Sequence, residues 1–518
     1  MNSSENSAHI LRTILIAVLL LPLISISIVP FYDTSEPRYA EIARIMAESG
    51  DWITPWFKQG VPFWGKPPLS FWAQALSMKT LGVTEFAARF PSWLCLILSV
   101  VILIEGLRPL YGFRISMLSA IIYSTCALVY ISSGAVLTDP FLALGTTLSL
   151  VSFTVVSQAG LSTPHGLDGS EPKAHRLPPN LWRYGFFIGI VIGLLSKGPL
   201  ALVLIMMPIL IAYGFHGETT SLRTLLPWWK GLAIVAALSL PWYILAEMKT
   251  PGFLDYFIVG EHFRRFLDPG WAGDLYGSAH KRAYGMIWLY WLQASFPWGL
   301  VVLATCLGSL WNTRIRETLQ QAVGTPLFYL WLASALVTPL FFTFSANILW
   351  TYLLPSLAGF SVLAAIILAK VYETPCLHRK FLSPATAIVP ASVLALSFAA
   401  WLNPNLKNTE RELVRYMEHT AETGTPLFYL SSLPFSAQFY SKGKAREISP
   451  MDFSKLSSCG TPFYLSIPKN NLPIAASMAS TTVAPVYSNK RYTLMRVSPQ
   501  SSCETKMTAR QSSSPSRP

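Results

Sequence analysis

The sequence predicts a polytopic α-helical membrane protein with exterior amphipathic helices and a small C-terminal α/β domain. Three observations predict it. Apolar residues make up 52% of the 518 and charged residues only 13%, about half the charged share of a soluble domain. Apolar stretches recur along the chain as far as residue 401, each near the length that crosses a hydrocarbon core. Beyond residue 404 the pattern changes to short strand-like runs, "TPLFYLSSL", "TPFYLSIP" and "RYTLMRV", preceded by a charged helical stretch, "TERELVRYMEHTAE".

Taken in order, spans are expected at 11–30, 88–106, 114–133, 139–158, 184–196, 198–215, 229–247, 285–306, 326–343, 351–370 and 382–401. Long connections leave room for more, so about 11–13 transmembrane helices are expected in all. The first span has Arg12 as its basic flank and ends in "SISIVP" without a small-x-small cleavage site, which reads as a retained anchor. With its N-terminus cytoplasmic, the cytoplasmic loops hold Arg108, Arg114, Arg183, Lys230, Arg314 and Arg316, while loops 134–138 and 344–350 hold no Lys or Arg, as the positive-inside rule requires.

This divides the chain into a membrane domain, 1–401, with long exterior loops at 31–87 and 248–284, an exterior α/β domain at 404–498, and a Ser-rich tail at 499–518 expected to be disordered. The heptapeptide "GTPLFYL" occurs at 324–330 and again at 424–430. The first copy runs on into apolar sequence and reads as the start of a span; the second meets "SSLP" and reads as a strand.

The formal charge of +13 is scattered among loops and forms no basic stripe, which argues against nucleic acid and for contact with anionic lipid. The six cysteines show no CxxC spacing, so thiolate metal binding is not expected, and a Cys459 to Cys503 disulfide is the pairing an oxidising exterior would allow. No cofactor is implied.

"YDTSEPRYAEIARIMAESGDWITPWF", residues 32–57, follows the first span. Pro37 suits a first helical turn and Ser49-Gly50 a stop, so a helix is expected from Ser35 or Glu36. Tyr39, Ile42, Ala43 and Met46 then share an apolar face and Glu41, Arg44 and Glu48 a charged one, the pattern of a helix lying on a membrane surface. Glu36 sits where the helix dipole favours a carboxylate, and Asp33 precedes it by three residues. Capping and solvation alone explain both. Further ionisable groups at span ends or in exterior loops, Asp139 in "VLTDPF", Lys197 in "SKGPLAL", Lys66 in "FWGKPPLSFW" and those of "GEHFRRF" at 260–266, point to a polar cleft at the exterior surface.

Such a mixture suits group transfer. A hydroxyl acceptor calls for a carboxylate to orient or deprotonate it, and a phosphate leaving group calls for Lys and Arg to stabilise its growing charge. Outside the cytoplasm an activated group must arrive on a lipid carrier, and the aromatic segments "WITPWF" and "PFWGKPPLSFW" suit the headgroup level.

The motifs "EPRYAEIARIMAESGDWITPWF", "GKPPLSFW", "VLTDPF", "SKGPLAL", "EHFRRF" and "SFPW", in that order, together with "LPFSAQFYSKGKA" near the end, resemble the polyprenyl-phosphate-dependent glycosyltransferases of GT-C fold, especially the aminoarabinose (lipid A) transferase family, related to the protein O-mannosyltransferases. The resemblance implies inverting transfer of a sugar from an undecaprenyl-type phosphate to a lipid A, lipopolysaccharide or other envelope acceptor, at the periplasmic face of a bacterial inner membrane. It places catalytic roles on Glu36, Asp33 and Asp139, and donor-phosphate contacts on Lys66, Lys197, Arg38 and Arg264 or Arg265. Tyr39, Glu261, His262 and Tyr352 become the expected substrate contacts, and no metal ligands are implied. Two positions depart from the family: Ser35 stands where it has Asp, and "ILWTYLLP" lacks the Lys of its "KLPTY" while keeping Tyr352. Either Glu36 carries the first acidic role or Asp33 reaches in from a turn earlier.

A secondary transporter is the alternative from another class; it calls for internal symmetry and ionisable groups at mid-bilayer, whereas these charges fall at outer helix ends. Transfer to a protein hydroxyl and a receptor without catalysis are further readings.

Overall fold

The computed structural model describes residues 3–161, 178–216, 224–268, 271–277, 280–323, 326–345, 347–371, 383–422, 424–458, 461–472 and 482–498. Cys459, Cys503 and the tail 499–518 lie outside them, as do parts of the expected cytoplasmic loops. The chain forms two compact bodies. One comprises 1–27 and 45–396, the other 28–44 and 397–518.

The first body is a helical bundle. Helices stand at every expected span, but the spans expected at 88–106 and 114–133 are drawn into one long element, Glu85–Thr125, continued by Ala127–Ser133. Its path breaks at Gly112 (φ 79°), just after Pro109, because a residue at positive φ interrupts the helical ladder. Among the described residues five helices are long and apolar enough to cross a membrane by length and composition, or up to seven if each of two bent helix pairs is one span. This falls short of eleven for a physical reason: Leu200–Gly214 and Ser356–Val371 are short apolar helices, and 286–308 turns by 103° between Met286–Ala294 and Trp298–Gly308. The protein is multi-pass. Its outer helices keep apolar faces bare, with Leu238, Leu240 and Ile244 of Trp228–Lys249 all more than half exposed, as lipid contact requires.

The bundle's centre is tightly packed around small residues. Helices Asp139–Leu161 and Pro179–Lys197 approach so closely that a Cβ on Gly189 would lie 2.4 Å from the Gly145 carbonyl, and one on Gly145 would lie 2.9 Å from the Gly193 amide nitrogen. Ser149 Oγ donates to Phe186 O across the seam, 2.8 Å. Small residues four apart allow this backbone approach. The two helices run in opposite directions, so Asp139, the first residue of one, and Lys197, the last of the other, come to the same end.

Beyond that end the first exterior loop interlocks with the second and with the end of helix Trp228–Lys249. Trp242 Nε1 donates to Ile53 O (2.9 Å), Trp64 Nε1 to Thr250 Oγ1 (3.1 Å) and Tyr276 Oη to Pro62 O (2.8 Å), and Lys249 pairs with Asp51 at 2.6 Å. Indole and phenol groups thus bury their rings while satisfying their polar ends.

The second body carries a five-stranded sheet in the order Arg446–Ile448, Leu427–Leu430, Phe463–Pro468, Tyr492–Ser498, Thr482–Ser488. The first three strands are parallel and the last two antiparallel to their neighbours. The second "GTPLFYL" supplies strand Leu427–Leu430 and the first supplies the start of helix Pro326–Thr343, as their flanks led one to expect. Residues 28–44 pack with this domain: Phe31 is fully buried, its ring 4.9 Å from that of Phe439, and its amide donates to Tyr440 Oη at 2.7 Å.

Helix Ser35–Ser49 forms as expected, but of its charged face only Glu48 is open to solvent. Glu41 and Arg44 are 3% and 4% exposed and form a two-pronged pair at 2.7 Å on both contacts. A Cβ on Gly443 would meet Arg44 Nη2 at 2.7 Å. Covering by the C-terminal domain converts the i,i+3 spacing into a buried ion pair, a use that helical periodicity does not distinguish from a solvated one.

Candidate active site

The first body holds a cavity of about 290 Å³ lined by Lys66, Asp139, Lys197, Glu261, His262, Arg265 and Tyr352 among others. Seven residues singled out in the sequence therefore converge. They arrive from five separate segments, and each is held by a local device.

Lys197 ends its helix because Gly198 turns to φ 72°, and its Nζ lies 3.0 Å from Asp139 Oδ1 and 5.6 Å from the Tyr352 ring centre, a cation–π arrangement. Glu261 stands on a π-helix, Asp255–Arg264, the wide turn that recurs at functional sites. It accepts from Lys66 Nζ at 3.0 Å and from Arg265 Nη1 on both oxygens at 3.0 Å, with Tyr256 Oη at 3.4 Å. Lys66 also donates to the Gly65 carbonyl, and Arg265 has Asp274 at 3.6 Å. Burial opposes the charge on Glu261, but the Lys66 ammonium and the Arg265 guanidinium overcome it and hold the carboxyl down at about 2. Burial opposes the charge on Arg265, but Tyr352, Glu261 and Asp274 outweigh it and raise its pKa, so the guanidinium stays charged.

His262 turns both ring nitrogens to backbone carbonyls, Nδ1 to Phe257 O at 2.7 Å and Nε2 to Lys197 O at 3.0 Å; burial lowers its pKa. Arg264 is exposed and does not line the cavity, so of the two arginines it is Arg265 that joins the cluster.

The cavity has further parts that the sequence did not disclose. Phe263, Phe266, Phe341 and Phe342 make an apolar wall, and Asn347, 4% exposed, sits beside it. Asn347 Oδ1 accepts from the His280 amide at 2.9 Å, which leaves Nδ2 as the outward donor. That Nδ2 and Arg265 Nε are buried donors with no acceptor among the described residues. Asn347 had one available signal, its place in the short loop 344–350 that meets the cleft; the aromatic wall had none, since phenylalanine is common throughout so apolar a chain.

Glu36, Asp33, Arg38 and Tyr39 belong to the second body. Glu36 is half-buried in the first turn of helix Ser35–Ser49. Arg38 stacks on Tyr39 and Phe435, 5.2 and 5.9 Å from the ring centres. Asp33 accepts from Ser436 N at 2.8 Å and Ser436 Oγ at 2.7 Å, and from Arg491 Nη2. Arg491 also donates to Glu410 at 2.9 Å, and Asn489 Nδ2 to the same carboxylate at 2.7 Å. Among the described residues no group of three or more His, Cys, Asp and Glu gathers in a metal-binding arrangement.

Residues 13–257 match the family described as dolichyl-phosphate-mannose-protein mannosyltransferase. Over 383 residues, 72% of its length, the chain is 30% identical to the undecaprenyl phosphate-alpha-4-amino-4-deoxy-L-arabinose arabinosyl transferase of Yersinia pestis (strain Pestoides F). Over 340 residues, 65% of its length, it is 29% identical to the enzyme of that name from Aeromonas salmonicida (strain A449). The chain spans 60% and 56% of the length of these relatives. Among solved structures it is similar to ArnT from Cupriavidus metallidurans bound to undecaprenyl phosphate, with a TM-score of 0.73 and 15% identity over 95% of this chain and 98% of that one. The apo state of that protein gives a TM-score of 0.72 at 16% identity, over 96% and 100%. At such identity the likeness is one of fold.

Proposed function

The chain is aminoarabinose transferase-like in sequence and GT-C in fold, and from that premise we propose that it is a glycosyltransferase using a polyprenyl-phosphate-linked sugar. The observation that carries the reading is the pair of buried donors without acceptors, Arg265 Nε and Asn347 Nδ2, in a cavity that already contains Lys66 and Lys197. Buried donors are rarely left unmatched, and a phosphate offers the oxygens this set lacks. The phenylalanine wall suits the first prenyl units of a lipid carrier.

In the reaction the acceptor oxygen attacks the anomeric carbon from the side opposite the phosphate, with inversion. The carbon–oxygen bond to phosphate breaks, and the departing charge falls among Lys66, Lys197 and Arg265, where fixed cations stabilise the transition state. Their pairing with Asp139 and Glu261 holds the cations in place before the phosphate arrives. Glu36, in the first turn of its helix, takes the acidic role left open by Ser35. If the acceptor is a hydroxyl, Glu36 serves as base; an anionic phosphate acceptor needs orientation only. The periplasmic face of a bacterial inner membrane is the setting, with an envelope lipid or glycan as acceptor.

The test is mass spectrometry of the lipid and envelope-glycan fractions from cells with the gene, without it, and with Glu36→Gln. A sugar mass absent from both altered strains is the expected result, and the molecule that loses it names the acceptor. Retained transfer in Glu36→Gln removes Glu36 from the role, and identical glycans in all three strains remove the reaction.

A further inference from the structure

His262 looks at first like a lining residue of the cavity, yet neither of its nitrogens is free for a ligand. Both face backbone carbonyls, Phe257 O on its own π-helix and Lys197 O on the helix end opposite. A carbonyl accepts only from an N–H, so at least one of these contacts is a donated hydrogen bond in either tautomer. The surroundings are built to admit the ring. Gly198 follows Lys197 at φ 72°, and a Cβ there would come within 2.7 Å of the Phe257 ring and 3.4 Å of His262 Cε1. The Phe257 and His262 rings meet edge to face at 4.8 Å.

The consequence is mechanical. Glu261 and His262 are adjacent, and between them they reach both ion pairs of the cleft. Glu261 holds Lys66 and Arg265; with its proton on Nε2, His262 donates to the main-chain carbonyl of Lys197 at 3.0 Å, the residue whose Nζ meets Asp139. We propose that His262 is a positioning residue that ties the π-helix to the turn after Lys197, so that Lys66, Lys197 and Arg265 keep one spacing for the donor phosphate. It acts through the backbone of Lys197. Supporting groups of this kind, which orient a contact residue without making the contact, hold functional geometry elsewhere in proteins.

The inference rests on the reading that a polyprenyl phosphate binds this cleft, and the experiment separates the two. Undecaprenyl phosphate is titrated against the full chain in detergent for the wild type, His262→Gln and His262→Asn. The Gln amide nitrogen stands where Nε2 does and keeps the link to Lys197 O; the Asn nitrogen stands where Nδ1 does and keeps only the link to Phe257 O. Both remove the imidazole, so a purely space-filling role affects them alike. The expected result is about tenfold weaker binding in His262→Asn, the size of one lost hydrogen bond to a contact residue, with His262→Gln recovering to within about threefold of wild type. Equal affinities in both variants, whether high or low, overturn the inference while leaving the cleft's role standing. No binding by the wild type overturns the cleft's role and this inference with it. Should His262→Asn fail to fold, Gly198→Ala breaks the same joint with the imidazole present, and wild-type affinity there also overturns it.

Discussion

Glu261 and Glu410 are both buried carboxylates beside an arginine, and their environments push them in opposite directions. Glu261 shares the company of two cations, Lys66 and Arg265, and is held at about 2. Glu410 is fully buried and shares Arg491, its one cation among the described residues, with Asp33; burial pushes it up to about 7 against the pull of that arginine. The difference teaches that the ratio of cations to carboxylates, and not burial or the presence of an arginine, separates a site held open for an anion from a structural knot. In the first body three cations, Lys66, Lys197 and Arg265, meet three carboxylates, Asp139, Glu261 and Asp274. In the cluster of the second body Arg491 faces two, Asp33 and Glu410.

The comparison breaks most visibly at its sole shared cation. Arg491→Leu leaves Asp33 and Glu410 buried without a counter-charge, which costs about 3–5 kcal/mol. Amide hydrogen exchange along Tyr492–Ser498 in the full chain should accelerate accordingly, and unchanged protection there would show that the cluster does not hold the domain together. By contrast Lys66→Ala leaves Glu261 with Arg265, so the fold should be nearly as stable as before. What it loses is a charge-assisted contact to the donor worth about 1.5–3 kcal/mol, and Lys197→Ala should lose a similar amount. Calorimetric titration with undecaprenyl phosphate checks this, and unchanged affinity in both variants would count against the phosphate site.

The smallest effect is one of pH, and it has opposite signs in the two bodies. The folded state favours protonated Glu410, so its contribution is complete below the ordinary value of 4.5 and fades as pH rises to about 7. The folded state favours ionised Glu261, so its contribution is complete above 4.5 and fades as pH falls towards 2. Exchange protection of strand Tyr492–Ser498, corrected for intrinsic rates, should therefore decline between pH 5 and 7 in the wild type and stay level in Glu410→Gln. An equal decline in both proteins would assign the slope to another group.

Much of the first body was legible because lipid imposes a simple rule: a long apolar run must be a helix. The candidate cleft was legible for a related reason. Asp139, Lys197, Lys66 and Glu261 are ionisable residues in a chain with few of them, each beside the end of an apolar run, so their exceptional places stand out. Arg265 could not be told from Arg264 by sequence, because a one-residue step along a helix decides which side chain faces inward. Asp33 was harder to read for the opposite reason. Its motif looks like part of an acidic pair, and only a serine and an arginine some 400 residues later reveal what engages it.

The two copies of "GTPLFYL" mark where the sequence's authority ends. Their flanks alone determined that one begins a membrane helix and the other forms a strand, since apolar length and local turn residues are properties of contiguous sequence. The sequence likewise determined the membrane class, the order of the helices and the residue types of the cleft. Tertiary structure alone decided that residues 28–44 fold with the C-terminal domain, that Glu41 and Arg44 are buried together, and that Lys197 stands three ångströms from Asp139. Burial, and the charge that each carboxylate carries, depend on partners distant in sequence, and no local pattern records how many cations those partners bring.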